Sequence, residues 1–505
     1  MEFAEQAEKL NRLVDENPQE AIRQALELSG SINIDMLKAV ILVDAGGLLK
    51  DFDSVFKGVE IFRFIVGKCK ENSELSYNLA NGLHALALST RYEGYSWYGI
   101  TEKYRLEARQ LFYKAAIDSE ASHDTRSQSF TNLGNLLWSS YRWVEAYDLY
   151  SQALEENPKN GVASSGALKM LRYALNQGLG EPELVKSEME HLADHVSQNI
   201  ETIHSYSGEH GVNGITGEIT DIRPIKKTEK VAHVDNYEGF VVKNNLTLSP
   251  TIHSHAHGSQ YWDNINIASV ISTTGSGGSV PEIFAMVNVL KSEYILARQL
   301  LFDASHERFK ETGNYNDTLD YACYGVNQSA LALAQRSALD ILDKIAVASL
   351  SYLGIDGAKG ASMKTAWFKK VKKGQKTREL APVIEEEVEK GNTALLAMTE
   401  ISRDLSNEQG FLAIKQSSRN SSTHRFTVLH DMGLRHESGE SDCVEHYRFQ
   451  EFARESLQTL KLARAGVVYF VQMVLIRERR LSGERDGVSL PLFVPSHEYI
   501  RGLEG

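Results

Sequence analysis

Apolar residues recur every three or four positions along most of the chain, the period of helices that each bury one face. Four such stretches stand out in the second half. "PEIFAMVNVLKSEYILARQLLFDASHERF" is the first, and "TLDYACYGVNQSALALAQRSALDILDKIAVASLSYLG" is the second and longest. The third runs from about Pro382 to Ser406, and "HYRFQEFARESLQTLKLARAGVVYFVQMVLIRERR" is the fourth. Together they predict a four-helix bundle. Ser279 and Glu282 form a capping box at the start of the first, with Pro281 inside the first turn. A short piece near "FLAIKQSSR" follows a break at Gly410, and the alternating "RFTVLHD" after it predicts a short strand.

The first 180 residues carry a repeat signal. In "FTNLGNLLWSSYRWVEAYDLYSQALEENP", Leu133 and Gly134 are followed by Ala146, Tyr150, Ala153 and Pro158. This resembles a tetratricopeptide (TPR) repeat, whose small-large-small spacing lets one helix nest against its partner. Upstream, "LSYNLANGLHALAL" and "EARQLFYKAAI" predict another helix pair, with Ala108, Phe112 and Ala115 in the same positions and "STRYEGYSWYGITEKY" as an insertion. "ENP" at 16–18 repeats at 156–158 and suggests the end of an earlier unit. Residues 1–180 therefore read as a TPR-like helical solenoid, and 279–482 as the bundle followed by a tail at 483–505. Between them, 181–278 reads as a connector with short strands, on segments such as "GVNGITGEITDIRPI" and "GFVVKNNLTLSPTI". His253, His255 and His257 there would share one face of an extended strand, but no Cys or carboxylate stands at a ligand spacing, which favours a polar loop over a metal site. "TTGSGGSVPE" lacks the lysine of a phosphate loop and reads as a hinge before a helix.

Composition narrows the class. The 505 residues, 42% hydrophobic and 24% charged, fit a globular chain of several domains. The opening "MEFAEQAEKLNRLVDENP" has five acidic residues in its first sixteen and no apolar h-region, so no signal peptide is predicted there. "AGVVYFVQMVLI" is too short to span a bilayer and reads as a buried helix. A cytoplasmic protein without a membrane partner is expected. Cys69, Cys323 and Cys443 form no CxxC pair, against a disulfide framework or zinc ribbon. The net charge of −13 argues against indiscriminate coating of nucleic acid.

Candidate chemistry lies in "RNSSTHRFTVLHD", from Arg419 to Asp431. On one continuous helix Arg419 and His424 would stand roughly 140° apart. The run "NSST" is poor material for a helix interior and ends the helix between them, which lets the two side chains converge. A guanidinium and an imidazole meeting at a phosphate suit RNA cleavage. The spacing recurs in Arg425 to His430, and a structural role at a helix end is the competing reading of the pair.

The arrangement as a whole resembles the HEPN superfamily of ribonucleases and RNA-binding modules, in the branch where a C-terminal HEPN domain follows TPR repeats. The resemblance rests on "SEYILARQLL", "RSALDILDKIA" and "RNSSTHRFTVLHD", and covers roughly residues 230–480. It implies a metal-independent endoribonuclease, without cofactor, that leaves 2′,3′-cyclic phosphate ends and belongs among toxins or antiviral effectors. The catalytic residues it implies are Arg419 and His424, with Asn420 as their polar neighbour. Asp340, Asp343 and Glu293 lie in matching helices as candidates to orient the arginine, each alternatively a solvated or helix-paired carboxylate. Toxins of this kind that are silenced by adenylylation carry a tyrosine where this chain has Phe426, so that control is not expected.

For RNA contacts, "KTAWFKKVKKGQKTR" offers Lys364, Trp367, Phe368, Lys369, Lys370, Lys372, Lys373, Lys376 and Arg378 without an acid. A solvated loop of the same composition remains the alternative. His430, His436 and His446 cluster after the motif and carry no assigned role. The expected partners are RNA, a protein or peptide in the TPR groove, and a second copy of the chain. The apolar fourth helix has more such surface than one bundle face needs, which suggests that part of it covers that copy. A non-catalytic scaffold that binds RNA or protein is the other functional class.

Overall fold

The computed structural model describes residues 2–69, 72–219, 236–253, 262–271, 280–369, 378–406, 410–412, 426–432 and 443–484. The N-terminal half is a run of helices: α1 (Glu2–Glu16), α2 (Pro18–Glu27), α3 (Ile32–Leu49), α4 (Phe52–Val66), α5 (Ser73–Leu88), α6 (Tyr95–Ile100), α7 (Glu102–Ile117), α8 (His123–Trp138), α9 (Trp143–Glu156), α10 (Gly161–Asn176), α11 (Pro182–Gln198) and α12 (Ile200–Ile219). Apart from the short α6, each helix packs against the next, and α3, α5, α8 and α10 also reach the second neighbour. Polar caps start several of them. Asn17 accepts from the Glu20 N–H with Pro18 next in line, and Asp51, Asn72, Ser122 and Asn160 cap α4, α5, α8 and α10 in the same way.

The small-large-small spacing works through contact. Tyr150 of α9 is buried between Gly134 of α8 and Gly166 of α10. A methyl group at Gly134 would stand 2.8 Å from the Tyr150 ring, and one at Gly166 2.5 Å, so only glycine admits the ring on both sides. The Tyr150 hydroxyl donates to Asn135 at 2.9 Å.

The connector is helical where it is described. α11, α12 and α13 (Tyr237–Lys243) occupy ground where strands were expected, and no strand lies between 181 and 278 among the described residues. "GVNGITGE" belongs to α12, whose break is a single residue, Gly208 at φ 63°. After α13 the apolar Leu246, Leu248 and Ile252 are buried, yet their backbone bonds go to isolated partners, such as Leu248 N–H to Asp263, and not to a ladder. His253 is buried with its ring against the Leu184 carbonyl, while His255 and His257 lie outside the described residues.

The C-terminal half comprises α14 (Glu282–Ser305), strand β1 (Ala322–Cys323), α15 (Val326–Tyr352), α16 (Pro382–Glu389), α17 (Thr393–Ser406), β2 (Phe426–His430), β3 (Val444–Arg448) and α18 (Phe449–Glu484). Several expected boundaries move. Pro281 is the N-cap of α14 and lies outside its first turn, and Ser279 lies outside the described residues. Thr318–Tyr324 precedes the second bundle helix as a loop and β1, and His446–Arg448 is strand, not the start of the fourth helix. The third helical section is two helices, broken at Gly391, whose φ of 87° suits glycine. β2 sits between β1, antiparallel, and β3, parallel.

One contiguous core runs through both halves. Its centre is α18, buried almost all round from Leu460 to Val474. Trp143 donates to Gln472 at 2.9 Å, the Val144 N–H to the Tyr469 hydroxyl at 3.1 Å, and Arg464 pairs with Asp148 at 3.2 Å. This corrects one expectation. The run of the fourth helix from Leu460 to Val474, expected in part to cover a second copy, is buried among the described residues of this chain, against α14, α15, α17 and α9.

Candidate functional site

Arg419, Asn420 and His424 lie outside the described residues. The structure does describe what holds the chain on both sides of them. On the N-terminal side is α17, with every residue from Ala394 to Leu405 buried. A buried helix can carry charge only where it is paired and hydrogen-bonded. Glu400 and Asp404 meet that condition, one turn apart, against arginines of the N-terminal half. Arg105 of α7 pairs with Glu400, and Arg109 reaches both Glu400 at 2.9 Å and Asp404 at 3.1 Å. Arg142, in the turn before α9, pairs with Asp404 and, at 2.6 Å, with Glu145. Ser140 accepts from Arg109 at 2.7 Å and from Arg105 at 3.2 Å. Arg403 completes the set by pairing with Glu102. Burial alone would raise the Glu400 carboxyl, but Arg105 and Arg109 outweigh it and hold the group well below its ordinary range. The helix that leads toward Arg419 is thus bonded to the N-terminal helices through groups that cannot part without exposing unpaired charge.

The basic segment 364–378 is anchored to the same helix. The Lys364 carbonyl accepts from Ser402 at 2.9 Å, Ser406 at 3.0 Å and Arg378 at 3.0 Å. Trp367 is fully buried and donates to the Met363 carbonyl at 2.9 Å, and buried Phe368 lies under Arg403. These two rings belong to the core and present no face to a base, which corrects their assignment to RNA stacking. The sequence "MKTAWF" carries the signal for this, since its apolar positions follow a turn of helix-like packing. Lys369 pairs with Glu379 at 3.0 Å on the surface, and Lys370, Lys372, Lys373 and Lys376 lie outside the described residues.

The acid candidates have partners of their own. Glu293 of α14 pairs with Lys344 of α15, and Asp343 accepts the Met363 N–H at 2.9 Å, so both brace local structure. Asp340 is exposed on α15.

On the C-terminal side the chain enters β2 at Phe426, whose N–H donates to the Cys443 carbonyl at 2.8 Å and whose ring is 73% exposed. Phe426 is the exposed aromatic nearest the motif in the chain, overlooked in the sequence because an alternating strand hides which face is wet. At the other end of β2, His430 is buried against His446.

Residues 274–478, from just before α14 to near the end of α18, match the family described as LA2681-like HEPN. The C-terminal half is a HEPN domain. Such domains point to a nuclease or an RNA-binding role for this half. No curated protein matches the chain. Among solved structures, the crystal structure of BtubC (BKLC) from P. vanneervenii is similar at 16% identity over 46% of this chain and 96% of that one, with a TM-score of 0.20.

Proposed function

We propose that the protein is a regulated endoribonuclease of the toxin or antiviral-defence type, acting in the cytoplasm, in which the HEPN domain cuts RNA and the N-terminal helices respond to a partner. The observation that carries this is the HEPN match over 274–478, within which the chain reads Arg419-Asn420 and, four residues on, His424. His424 takes the proton of an RNA 2′-hydroxyl as its oxygen attacks phosphorus. The bond from phosphorus to the 5′-oxygen breaks, a second imidazolium protonates the departing oxygen, and a 2′,3′-cyclic phosphate remains. The Arg419 guanidinium pairs with the phosphate oxygens as charge builds on them. Exposed Phe426 is placed in the chain to stack on a base beside them.

One motif has one histidine, so a homodimer supplies base and acid together. An open groove of about 450 Å³ between α14 and α15, lined in part by exposed Val289, is a face that a second copy can cover. Control is supported by the buried ion pairs from Arg105, Arg109 and Arg142 to α17. A peptide or protein seated in a TPR-like groove of the first 180 residues would shift helices bonded directly to the one that precedes the motif.

The test is incubation of the full chain with total RNA, followed by end-group analysis. Cyclic phosphate ends, with cleavage reduced at least about 100-fold in His424→Ala and in Arg419→Ala while folding is intact, support the reading. Mixing the two inactive variants should restore part of the activity if the site is shared. RNA binding without cleavage by the wild type would establish the scaffold reading instead.

A further inference from the structure

The three-stranded sheet gathers a set of metal-ligand atoms. His430 at the end of β2 is fully buried, and His446 on β3 and Asp320 just before β1 are half-buried. One ligand atom from each lies within 4.8 Å of the others. The register brings them together: Ala322 pairs with His430, and His446 pairs with Val428, two residues back along β2 and on the same face.

The hydrogen bonds fix which atoms face the cluster. His430 Nδ1 lies 3.0 Å from the Asp320 carbonyl, which only accepts, so Nδ1 carries the proton. Nε2 is then a lone pair, 2.8 Å from Nδ1 of His446, which donates to it. An imidazole whose far nitrogen donates to a carbonyl is held in the tautomer and orientation of a metal ligand. The Asp320 carboxylate is aimed in its turn, accepting from the Thr318 hydroxyl at 2.5 Å and the Ala322 N–H at 3.3 Å. On either side of it, Leu319 and Tyr321 hold φ of 57° and 61°. Left-handed backbone is uncommon at a non-glycine residue, and here it brackets Asp320 where the chain turns into β1.

We propose that Asp320, His430 and His446 bind a divalent transition-metal ion of the zinc type. Two imidazole nitrogens and a carboxylate oxygen are a donor set for such an ion, with a fourth position left for water. The ion replaces the proton that the two rings share. The nitrogens move from 2.8 Å apart to roughly 3.4 Å, the separation that bonds of about 2.1 Å in a tetrahedral site require. His446, the half-buried ring, makes that movement while His430 stays fixed by Asp320. Bound there, the ion ties β1, β2 and β3 together directly after the Arg419–His424 segment. It is a staple and takes no part in the RNA chemistry, so this site stands or falls independently of the nuclease reading.

The experiment uses full-length protein stripped with chelator and dialysed, then titrated with Zn²⁺ by calorimetry and with Co²⁺ by visible absorption. The chain has 16 histidines, so the variants decide where an ion sits. One equivalent of Zn²⁺ bound by wild type, at least about 10-fold weaker in His446→Ala and in Asp320→Ala, with tetrahedral Co²⁺ bands lost in both, supports the site. If an alanine variant fails to fold, His446→Gln and Asp320→Asn take its place with the same expected losses. Stoichiometric Zn²⁺ that raises the wild-type melting temperature, with a smaller rise in these variants, supports the proposal. No stoichiometric binding, or binding unchanged in both variants, overturns it.

Discussion

Before the Arg419–His424 segment, α17 carries Glu400 and Asp404 into a nest of guanidiniums, and after it β2 carries His430 to His446 and Asp320. Both clusters are buried or half-buried, and both tie a flank of the same segment to distant parts of the chain. They differ in how their polar groups are satisfied. In the first, full charges of opposite sign are matched inside the protein, and the cost of burying them is offset only while every partner stays in place. In the second, two imidazoles are joined by one hydrogen bond, and removal of a partner leaves only a hydrogen-bonding group behind. The first cluster therefore locks the N-terminal helices to the bundle, whereas the second is a local brace with a donor set that an ion can still improve.

That contrast can be broken by substitution. Asp404→Ala removes one of the two carboxylates that face Arg142 and Arg109, leaving Arg142 with Glu145 and Arg109 with Glu400, and we expect a loss of about 3–5 kcal/mol in unfolding free energy, read from denaturant melts. A change below about 1 kcal/mol would mean that the cluster is wetter and weaker than its burial indicates.

Acid should reach the first cluster through its neighbour. His84 on α5 is pushed down from 6.5 to about 4, by burial first and then by Arg105 and Arg109. The unfolded chain takes up this proton below about pH 6.5 and the folded chain only near pH 4, so its contribution is complete above the first value and is lost as pH falls through that window. The expected loss is on the order of 2–3 kcal/mol between these limits. His84→Gln should flatten that part of a melting series, and an unchanged slope would assign it to other groups. Glu400, held low by its arginines against burial, adds its own loss only at more acidic pH.

In the second cluster, His446→Ala without metal removes one hydrogen bond to buried His430, worth about 1–2 kcal/mol. The gap from wild type should widen when Zn²⁺ is added. Smallest of all, Lys369→Ala loses an exposed pair with Glu379 and should change stability by less than about 0.5 kcal/mol. It should weaken RNA binding only if the basic segment contacts phosphate, which filter binding at two salt concentrations would show.

Much of the fold is legible in the residue pattern. The repeat spacing around Gly134 and Tyr150 announces helices that nest, and the contacts of Tyr150 show that nesting on two sides. The period of three to four announces the long helices of the bundle, and alternation announces β2. Three features mislead. Glycine and β-branched residues in "GVNGITGE" suggest strands, yet the segment continues α12 as helix beyond Gly208. A lysine-rich surrounding makes Trp367 and Phe368 look like a stacking platform, although the rings fill the core. The apolar circumference of α18 suggests a second copy, whereas the chain supplies its own cover through Trp143, Val144 and Tyr173.

Periodicity, caps and breakers are local, because neighbours within one helix or strand turn fix them, and the sequence by itself determined the helical elements, the start of α2 at Pro18 and the motif Arg419-Asn420 with His424. Partnership across the chain is not local. That Arg105 would answer Glu400, 295 positions away, or that His446 would reach His430 from a parallel strand, depends on how the helices stack and which strands pair. Charge and ring chemistry mark such residues as able to pair, but burial decides whether they must, and only the tertiary structure sets burial.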